Sequence, residues 1–180
     1  GSESIHSIMC KSLEEKDIYN DQSISALKDV LFGKKLSYNF DNVKENKLGK
    51  TSGQIVGGNL TLLHCLIGSK SSINTDNKIL FIEDLGEYHY HIDRMLVSLK
   101  RAGYFDNCKG LIVGDFTDLR KNTTPFGKSL KEIILDAVKE FDFPVLFDFP
   151  AGHEKINMPI ILGRDITMDI NSSKSSINFL

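Results

Sequence analysis

The stretch "LFIEDLGEYHYHIDRML", residues 80–96, decides the fold. It opens inside the apolar run Ile79–Ile82, which is typical of a strand covered on both faces of a sheet. The run stops at the carboxylates Glu83 and Asp84. Apolar side chains then recur at helical spacing up to Gly103, namely Ile92, Met95, Leu96 and Leu99. The pattern predicts a buried strand that ends on acids and leads into a helix.

The sequence downstream repeats this alternation of strand and helix. "GLIVGDF", residues 110–116, and "PVLFDFP", residues 144–150, each have the composition of a buried strand. Between them lies a predicted helix whose apolar stripe comprises Leu130, Ile133, Ile134, Ala137, Val138 and Phe141. The order β-α-β-α-β predicts parallel strands joined by right-handed crossovers.

The flanking segments complete one domain of the α/β class. Residues 21–33 predict a helix with an apolar face of Ile24, Leu27, Val30 and Leu31, and residues 36–40 a short strand. "SGQIVGGNLTLLHCLIG", residues 52–68, predicts a strand, a turn at Gly57-Gly58 and a helix capped by Asn59. The tail from residue 157 alternates with period two, which predicts antiparallel strands with a turn near residues 171–174. We therefore expect a single mixed domain with a parallel core and added antiparallel strands.

Composition excludes several classes of protein. Of the 180 residues, 41% are hydrophobic and 26% are charged, and the net charge of −2 favours neither nucleic acid nor an anionic membrane as a partner. The three cysteines form no CxxC pair, so we expect free thiols and a cytoplasmic protein. Gly1-Ser2 is interpreted as the scar of a cleaved tag, residues 3–20 as the irregular remnant of an interdomain segment, and residues 21–180 as the domain.

Chemical groups follow each of the three core strands. Because ligands gather beyond the carboxyl ends of parallel strands, we expect Glu83, Asp115 and His153 to meet at one edge of the sheet. A histidine oriented by a carboxylate is the base of a nucleophilic triad. No G-x-S-x-G motif occurs, so the pattern supplies a base and its orienter without an attacking group.

Several neighbouring residues have two readings. Asp84 points away from Glu83 on a strand and is expected to accept structural hydrogen bonds. Gly57-Gly58-Asn59 could bind an anion before a helix, or it could form a tight turn with Asn59 as the helix cap. Asp115 could shape the site, or it could simply end a buried strand. Asn59 and Asp115 are our candidates for contact with the substrate. Glu87, His89 and His91 could hold zinc if extended, but their place before a helix disfavours this, and no metal or cofactor is expected.

The central region resembles the signature region of the LD-carboxypeptidases, serine peptidases that remove the terminal D-alanine from muropeptide tetrapeptides in cell-wall recycling. The resemblance covers roughly residues 5–165 in collinear order. It rests on "GQIVGGNL" at 53–60, "EDLGE" at 83–87, "IDRML" at 92–96, Ala102-Gly103, "GDFT" at 114–117 and "GH" at 152–153. It implies the swivelling β/β/α fold of the C-terminal domain of that family.

The resemblance also implies roles for single residues. The glutamate and the histidine of the family's Ser-Glu-His triad match Glu83 and His153, whereas its serine belongs to a separate N-terminal domain that does not match this chain. "SIHSIMC", residues 4–10, resembles the family's H-G-P-M segment but departs at Ser7-Ile8, so His6 receives no role. His89 and His91 stand where the family more often has Pro-Tyr-Arg. They are expected to face the substrate cleft and to affect substrate preference.

The resemblance leads to the following expectations. The chain alone is inactive, and its partners are a muropeptide substrate, bound by the full-length enzyme, and the N-terminal domain. Without that domain, apolar surface is exposed and favours a homodimer. Two alternatives are a related peptidase that detoxifies a peptide-nucleotide antibiotic and a non-catalytic binding module. The E-D-x-G-E continuation favours the cell-wall enzyme over the first. A G-x-S-D turn upstream would support the enzyme over the second, and its absence would support the binding module.

Overall fold

The computed structural model describes residues 2–9, 21–121 and 123–180. Its strands are β1 (Ser4–His6), β2 (Ser37–Asp41), β3 (Gly49–Asn59), β4 (Ile79–Leu85), β5 (Gly110–Thr117), β6 (Val145–Leu146), β7 (Ile160–Leu162), β8 (Asp165–Ile170) and β9 (Lys174–Phe179). Its helices are α1 (Asp21–Leu31), α2 (Leu60–Cys65), α3 (His89–Arg101) and α4 (Leu130–Val138). The predicted alternation of strands and helices and the antiparallel tail are both present.

One seven-stranded sheet runs in the order β2-β9-β8-β3-β4-β5-β6, and β1 pairs separately with β7. The strands β3, β4, β5 and β6 are parallel to one another, so the predicted parallel core is confirmed and gains a fourth strand. Strand β3 joins the two halves of the sheet. Its residues 49–54 pair antiparallel with β8, and its residues 55–59 pair parallel with β4.

Strand β4 is buried on both faces, as its continuous apolar run predicted. Leu80 and Ile82 pack into a core formed with the helices α2, α3 and α4. Ile79 and Phe81 pack into a second core formed with β7, β8 and β9. Each acid that follows therefore continues one of two buried faces, with Glu83 on the face of Phe81.

The predicted turn at Gly57-Gly58 is wrong, because both glycines lie inside β3. Gly57 has φ of 135°, which side chains rarely adopt, and a Cβ there would overlap the carbonyl oxygen of Phe81 on β4. The glycine is thus required by close approach of two parallel strands. Asn59 does cap α2, since its side-chain oxygen accepts a hydrogen bond of 3.1 Å from the Leu62 amide.

Two further expectations at the N-terminus need correction. Within α1, Ile24 and Leu31 are exposed, whereas Val30 of the predicted face does pack against the core, together with Ala26. The expected irregular segment contains β1, whose register places His6 opposite Ile160. Residues 10–20, which the sequence assigned to an interdomain remnant, lie outside the described residues.

Two further features of the described residues concern membrane spans and cysteines. None of the helices in these ranges is long and apolar enough to cross a bilayer. Cys65 is exposed, Cys108 is buried, and both are free thiols. Cys10 lies outside the described residues.

Candidate active site

The carboxyl edge of the parallel strands brings the sequence-predicted residues together. Asn59 at the end of β3 is the register partner of Glu83 on β4. Next to them, β5 contributes Asp115, and the loop after β6 contributes Gly152 and His153. A cavity of about 380 Å³ opens here, and it is lined by His6, Ser7, Met9, Asn59, Leu62, Glu83, Gly152, His153 and Asn157.

An irregularity in β5 shapes this edge. Ile82 pairs with Val113, whereas Asp84 pairs with Phe116, so β5 has one residue more than β4 over this interval. Such a bulge bends a strand and redirects a side chain, and bulges are common beside active sites. Gly114 lies within the bulge, and a Cβ on it would come within 3.2 Å of the Glu83 Cβ. The Cβ would also overlap the Ala151 carbonyl oxygen, so the glycine allows β5 to lie close both to Glu83 and to the loop that carries His153.

The loop that carries His153 is fastened to β5. The Asp115 amide donates a hydrogen bond of 2.9 Å to the Ala151 carbonyl. Gly152 has φ of 155°, and a Cβ on it would lie 2.8 Å from the Cβ of Asp115. Close packing of this loop on β5 thus sets the position from which His153 reaches Glu83.

Glu83 and His153 form a hydrogen-bonded pair. The distance from His153 Nδ1 to Glu83 Oε2 is 2.9 Å, although the two residues are 70 positions apart. The Glu83 side chain is only 2% exposed, whereas that of His153 is 43% exposed. A carboxylate can only accept hydrogen bonds, so Nδ1 of His153 carries the proton in this pair. Nε2 of His153 is then the nitrogen that can take a proton from an attacking group.

Asp84 belongs to the scaffold, as expected. Its carboxylate accepts hydrogen bonds from Asn59 Nδ2 at 2.9 Å, from the Thr61 amide at 3.0 Å and from Thr61 Oγ1 at 2.9 Å. It is 2% exposed, and these donors are what allow a buried charge at this position. Asp84 thereby ties the end of β4 to the start of α2. Asn59 is held in the same network beside Glu83.

Asp115 is the acid with the most perturbed environment at this edge. The pKa of Asp115 is raised from 3.8 to about 6, chiefly by burial and further by the negative charges of Glu154, Glu83 and Asp148, against a smaller opposing effect of His153. Its Oδ2 atom is buried and has no hydrogen-bond partner among the described residues. A carboxyl group in these surroundings can donate or accept a hydrogen bond near neutral pH.

The raised pKa of Asp115 predicts a dependence of stability on pH. Between pH 3.8 and about 6 the folded state binds more protons than the unfolded state, so the free energy of unfolding falls as pH rises through this window. We expect Asp115→Asn to be more stable than the wild type above pH 6 by about 1 kcal/mol, after reduction for solvent screening at a half-exposed group. Near pH 4 the difference should vanish.

Urea unfolding at a series of pH values between 4 and 8 tests this expectation. Asp165→Asn, which changes an exposed aspartate of β8, is the matched control and should give a difference that does not vary with pH. A difference between Asp115→Asn and the wild type that is the same at pH 4 and pH 7 would contradict the assignment.

The histidines of α3 do not join this edge. The helix already begins at His89, so Glu87, His89 and His91 are not extended. His91 Nδ1 lies 2.8 Å from Glu87 Oε2, whereas His89 lines another pocket beside Arg120 and Phe126. Neither histidine lines the cavity at Glu83, so the expectation that they face the cleft is not met there. In the described part of the chain, no cluster of three or more His, Cys, Asp or Glu side chains could hold a metal ion.

Five residues that line the cavity carried no assignment from the sequence, namely His6, Ser7, Met9, Leu62 and Asn157. His6 Nε2 lies 3.7 Å from Glu83 Oε1, on the opposite oxygen from His153. Ser7 lines the same cavity, but its hydroxyl is buried and has no hydrogen-bond partner within the described ranges. Ser7 is therefore not paired with the base. The H-G-P-M-like segment was the only signal in the sequence that could have drawn attention to His6.

Similar sequences occur among curated proteins, including one named as a carboxypeptidase. The chain is 36% identical over 121 residues to a Bacillus subtilis protein named "Probable murein peptide carboxypeptidase", covering 67% of this chain and 38% of that protein. It is 28% identical over 172 residues to the microcin C7 self-immunity protein of Escherichia coli, covering 92% of this chain and 47% of that protein. The chain thus spans less than half the length of either relative.

Solved structures and family models agree on the fold. The muramoyltetrapeptide carboxypeptidase of Oxalobacter formigenes superposes with a TM-score of 0.90 at 22% identity, over 99% of this chain and 61% of that one. This match supports the expected mixed α/β domain of the LD-carboxypeptidase type. Residues 52–168 match the family model described as the LD-carboxypeptidase C-terminal domain, so the chain belongs to the LD-carboxypeptidase family.

Proposed function

We propose that this chain supplies the base and its orienter to a serine-type LD-carboxypeptidase that releases the terminal D-alanine from muropeptide tetrapeptides. The observation that carries the proposal is the hydrogen bond of 2.9 Å between His153 Nδ1 and buried Glu83 Oε2. Membership in the carboxypeptidase family supports the reaction class. The attacking serine comes from a further domain of the full-length protein.

The pair performs two proton transfers in each half of the reaction. His153 Nε2 takes the serine proton as the serine oxygen attacks the carbonyl carbon of the peptide bond before D-alanine. It then gives that proton to the leaving amine, and D-alanine departs while the rest of the peptide stays esterified to serine. Water repeats the sequence, losing a proton to His153 and releasing the shortened peptide as serine regains its proton. Glu83 stabilises the imidazolium that forms each time.

Exposed apolar side chains at the rim of the cavity favour contact with a second domain. The Leu62 and Met9 side chains are 62% and 66% exposed where they line the rim of this cavity, so two large apolar side chains are available there for contact with another protein segment. We propose that the nucleophile domain covers this rim. In its absence the rim favours a homodimer, and the intact enzyme acts in the cytoplasm on recycled muropeptides. Asn59 and Asp115, which flank Glu83, are the proposed substrate contacts.

A second candidate is a related peptidase that detoxifies a peptide-nucleotide antibiotic; solved structures of the microcin C7 self-immunity protein include a complex with aspartyl sulfamoyl adenosine. The match to the microcin C7 self-immunity protein favours it, because that match covers more of this chain than the match to the B. subtilis protein does. The higher identity to the murein peptide carboxypeptidase favours the cell-wall reaction.

Competition between the two substrates decides between these candidates. The full-length protein is given a muropeptide tetrapeptide and an aminoacyl sulfamoyl adenosine at equal concentration, and the initial rates of D-alanine and amino-acid release are compared. We expect a preference for the tetrapeptide of at least tenfold in kcat/KM, since specificity is the ratio of these constants. Preference for the nucleotide would establish the second candidate instead.

A further inference from the structure

We propose that His6 is a positioning residue that holds the carboxylate of Glu83 for His153. The inference rests on the proposed function, because it concerns the same pair. Glu83 lies between two imidazoles, with His153 Nδ1 at 2.9 Å from Oε2 and His6 Nε2 at 3.7 Å from Oε1. The two histidines thus contact different oxygens of one carboxylate.

Glu83 needs a second contact to keep its orientation. The torsion that turns a glutamate carboxylate is broad and has no sharp rotamer, so one hydrogen bond leaves the group free to swing about that bond. Glu83 is also only 2% exposed, so bulk solvent has little access to its other oxygen. A donor on the far side of the carboxylate supplies the missing constraint.

His6 is itself held rigidly against this carboxylate. Its backbone lies in β1, whose register with β7 pairs His6 with Ile160. Its ring packs edge-on against Phe81, with centroids 5.2 Å apart and planes at 74°. Phe81 precedes Glu83 by two residues on β4 and shares its face, so one strand presents both the ring and the carboxylate to His6.

The environment of the His6 ring selects the tautomer that suits this role. Nδ1 is buried and has no hydrogen-bond partner among the described residues. Of the two neutral tautomers, the one with the proton on Nδ1 would bury an unpaired donor, whereas the other directs its N–H towards Glu83 Oε1. The 3.7 Å separation exceeds a hydrogen bond, and catalytic hydrogen bonds often shorten once substrate is bound.

Two variants separate the role of Nε2 from that of the ring. His6→Phe keeps a ring against Phe81 but loses the donor, and His6→Gln loses the ring but keeps an N–H donor at a similar distance from the backbone. Imidazole NMR on the 180-residue chain reports the Nδ1–H proton of His153, whose downfield resonance marks its hydrogen bond to Glu83. We expect His6→Phe to lose this resonance and His6→Gln to retain it.

The outcomes distinguish this inference from the proposed function. Loss of the resonance in both variants, or in neither, overturns the role of His6. Absence of the resonance in the wild type overturns the Glu83–His153 pair, and with it the proposed function. Amide spectra of β1 and β7 check that each variant keeps the strand in place. In the full-length enzyme we expect His6→Phe to lower kcat by about tenfold to a hundredfold with KM unchanged, and His6→Gln to restore most of it.

Discussion

Replacing His153 by alanine in the full-length protein is expected to lower kcat for D-alanine release by about three to four orders of magnitude. Without this imidazole the proposed base is missing, and Glu83, whose side chain is only 2% exposed, is not placed to replace it. Glu83→Gln is expected to lower kcat as well, since the amide cannot hold the Nδ1–H tautomer as a carboxylate does. D-alanine release is followed with a coupled oxidase assay.

A second histidine provides the control for this prediction. His64 lies on α2 and lines a separate pocket with Glu87 and His91, so His64→Gln should retain the wild-type kcat. The thermal midpoints of the variants are compared to exclude unfolding as the cause. An active His153→Ala variant with a normal midpoint would remove His153 from the mechanism.

Replacing Gly57 by alanine is expected to destabilise the domain by about 4 kcal/mol or more, a loss that few single substitutions cause. The new methyl group would meet the backbone of Phe81, and β3 and β4 would have to separate because a main-chain carbonyl cannot turn aside as a side chain can. The loss is a large part of the roughly 5–15 kcal/mol that stabilises a typical domain. Urea unfolding and soluble yield measure it.

Replacement of Gly58 is the control that distinguishes steric overlap with Phe81 from the strain of an unfavourable φ. Gly58 has φ of 142°, close to that of Gly57, but a Cβ there meets nothing within 4 Å. Gly58→Ala should therefore cost only about 1–3 kcal/mol, the usual cost of an unfavourable φ. Equal unfolding midpoints for the two variants would mean that close approach of β3 and β4 is unimportant.

Local patterns predicted the centre of the fold well. The run Ile79–Ile82 and the helical spacing after it determine β4 and α3 without reference to other parts of the chain. Because the strands are parallel, their carboxyl ends share one edge, and the meeting of Glu83 with the loop at His153 follows from that topology. Resemblance to a family supplied the triad roles, which remain predictions.

The errors arose where contacts between distant segments decide the structure. A Gly-Gly pair usually marks a turn, but at Gly57 it reflects the approach of β4, which is 22 or more positions away. Strand β1 is only three residues long and pairs with β7, more than 150 positions distant, so no local period indicates it. His6 lies beside Glu83 for the same kind of reason, since the contact joins segments that are far apart in the sequence. The bulge in β5 depends on pairing register, which the composition of a strand does not reveal.

We propose that the pair Glu83–His153 serves a nucleophile supplied from outside these 180 residues. The most direct test measures D-alanine release from a muropeptide tetrapeptide by the full-length protein and by the 180-residue chain, side by side at equal concentration. We predict release by the full-length protein and none by the chain alone. Release by the chain alone, abolished by Ser7→Ala, would place the nucleophile inside the chain and contradict the claim.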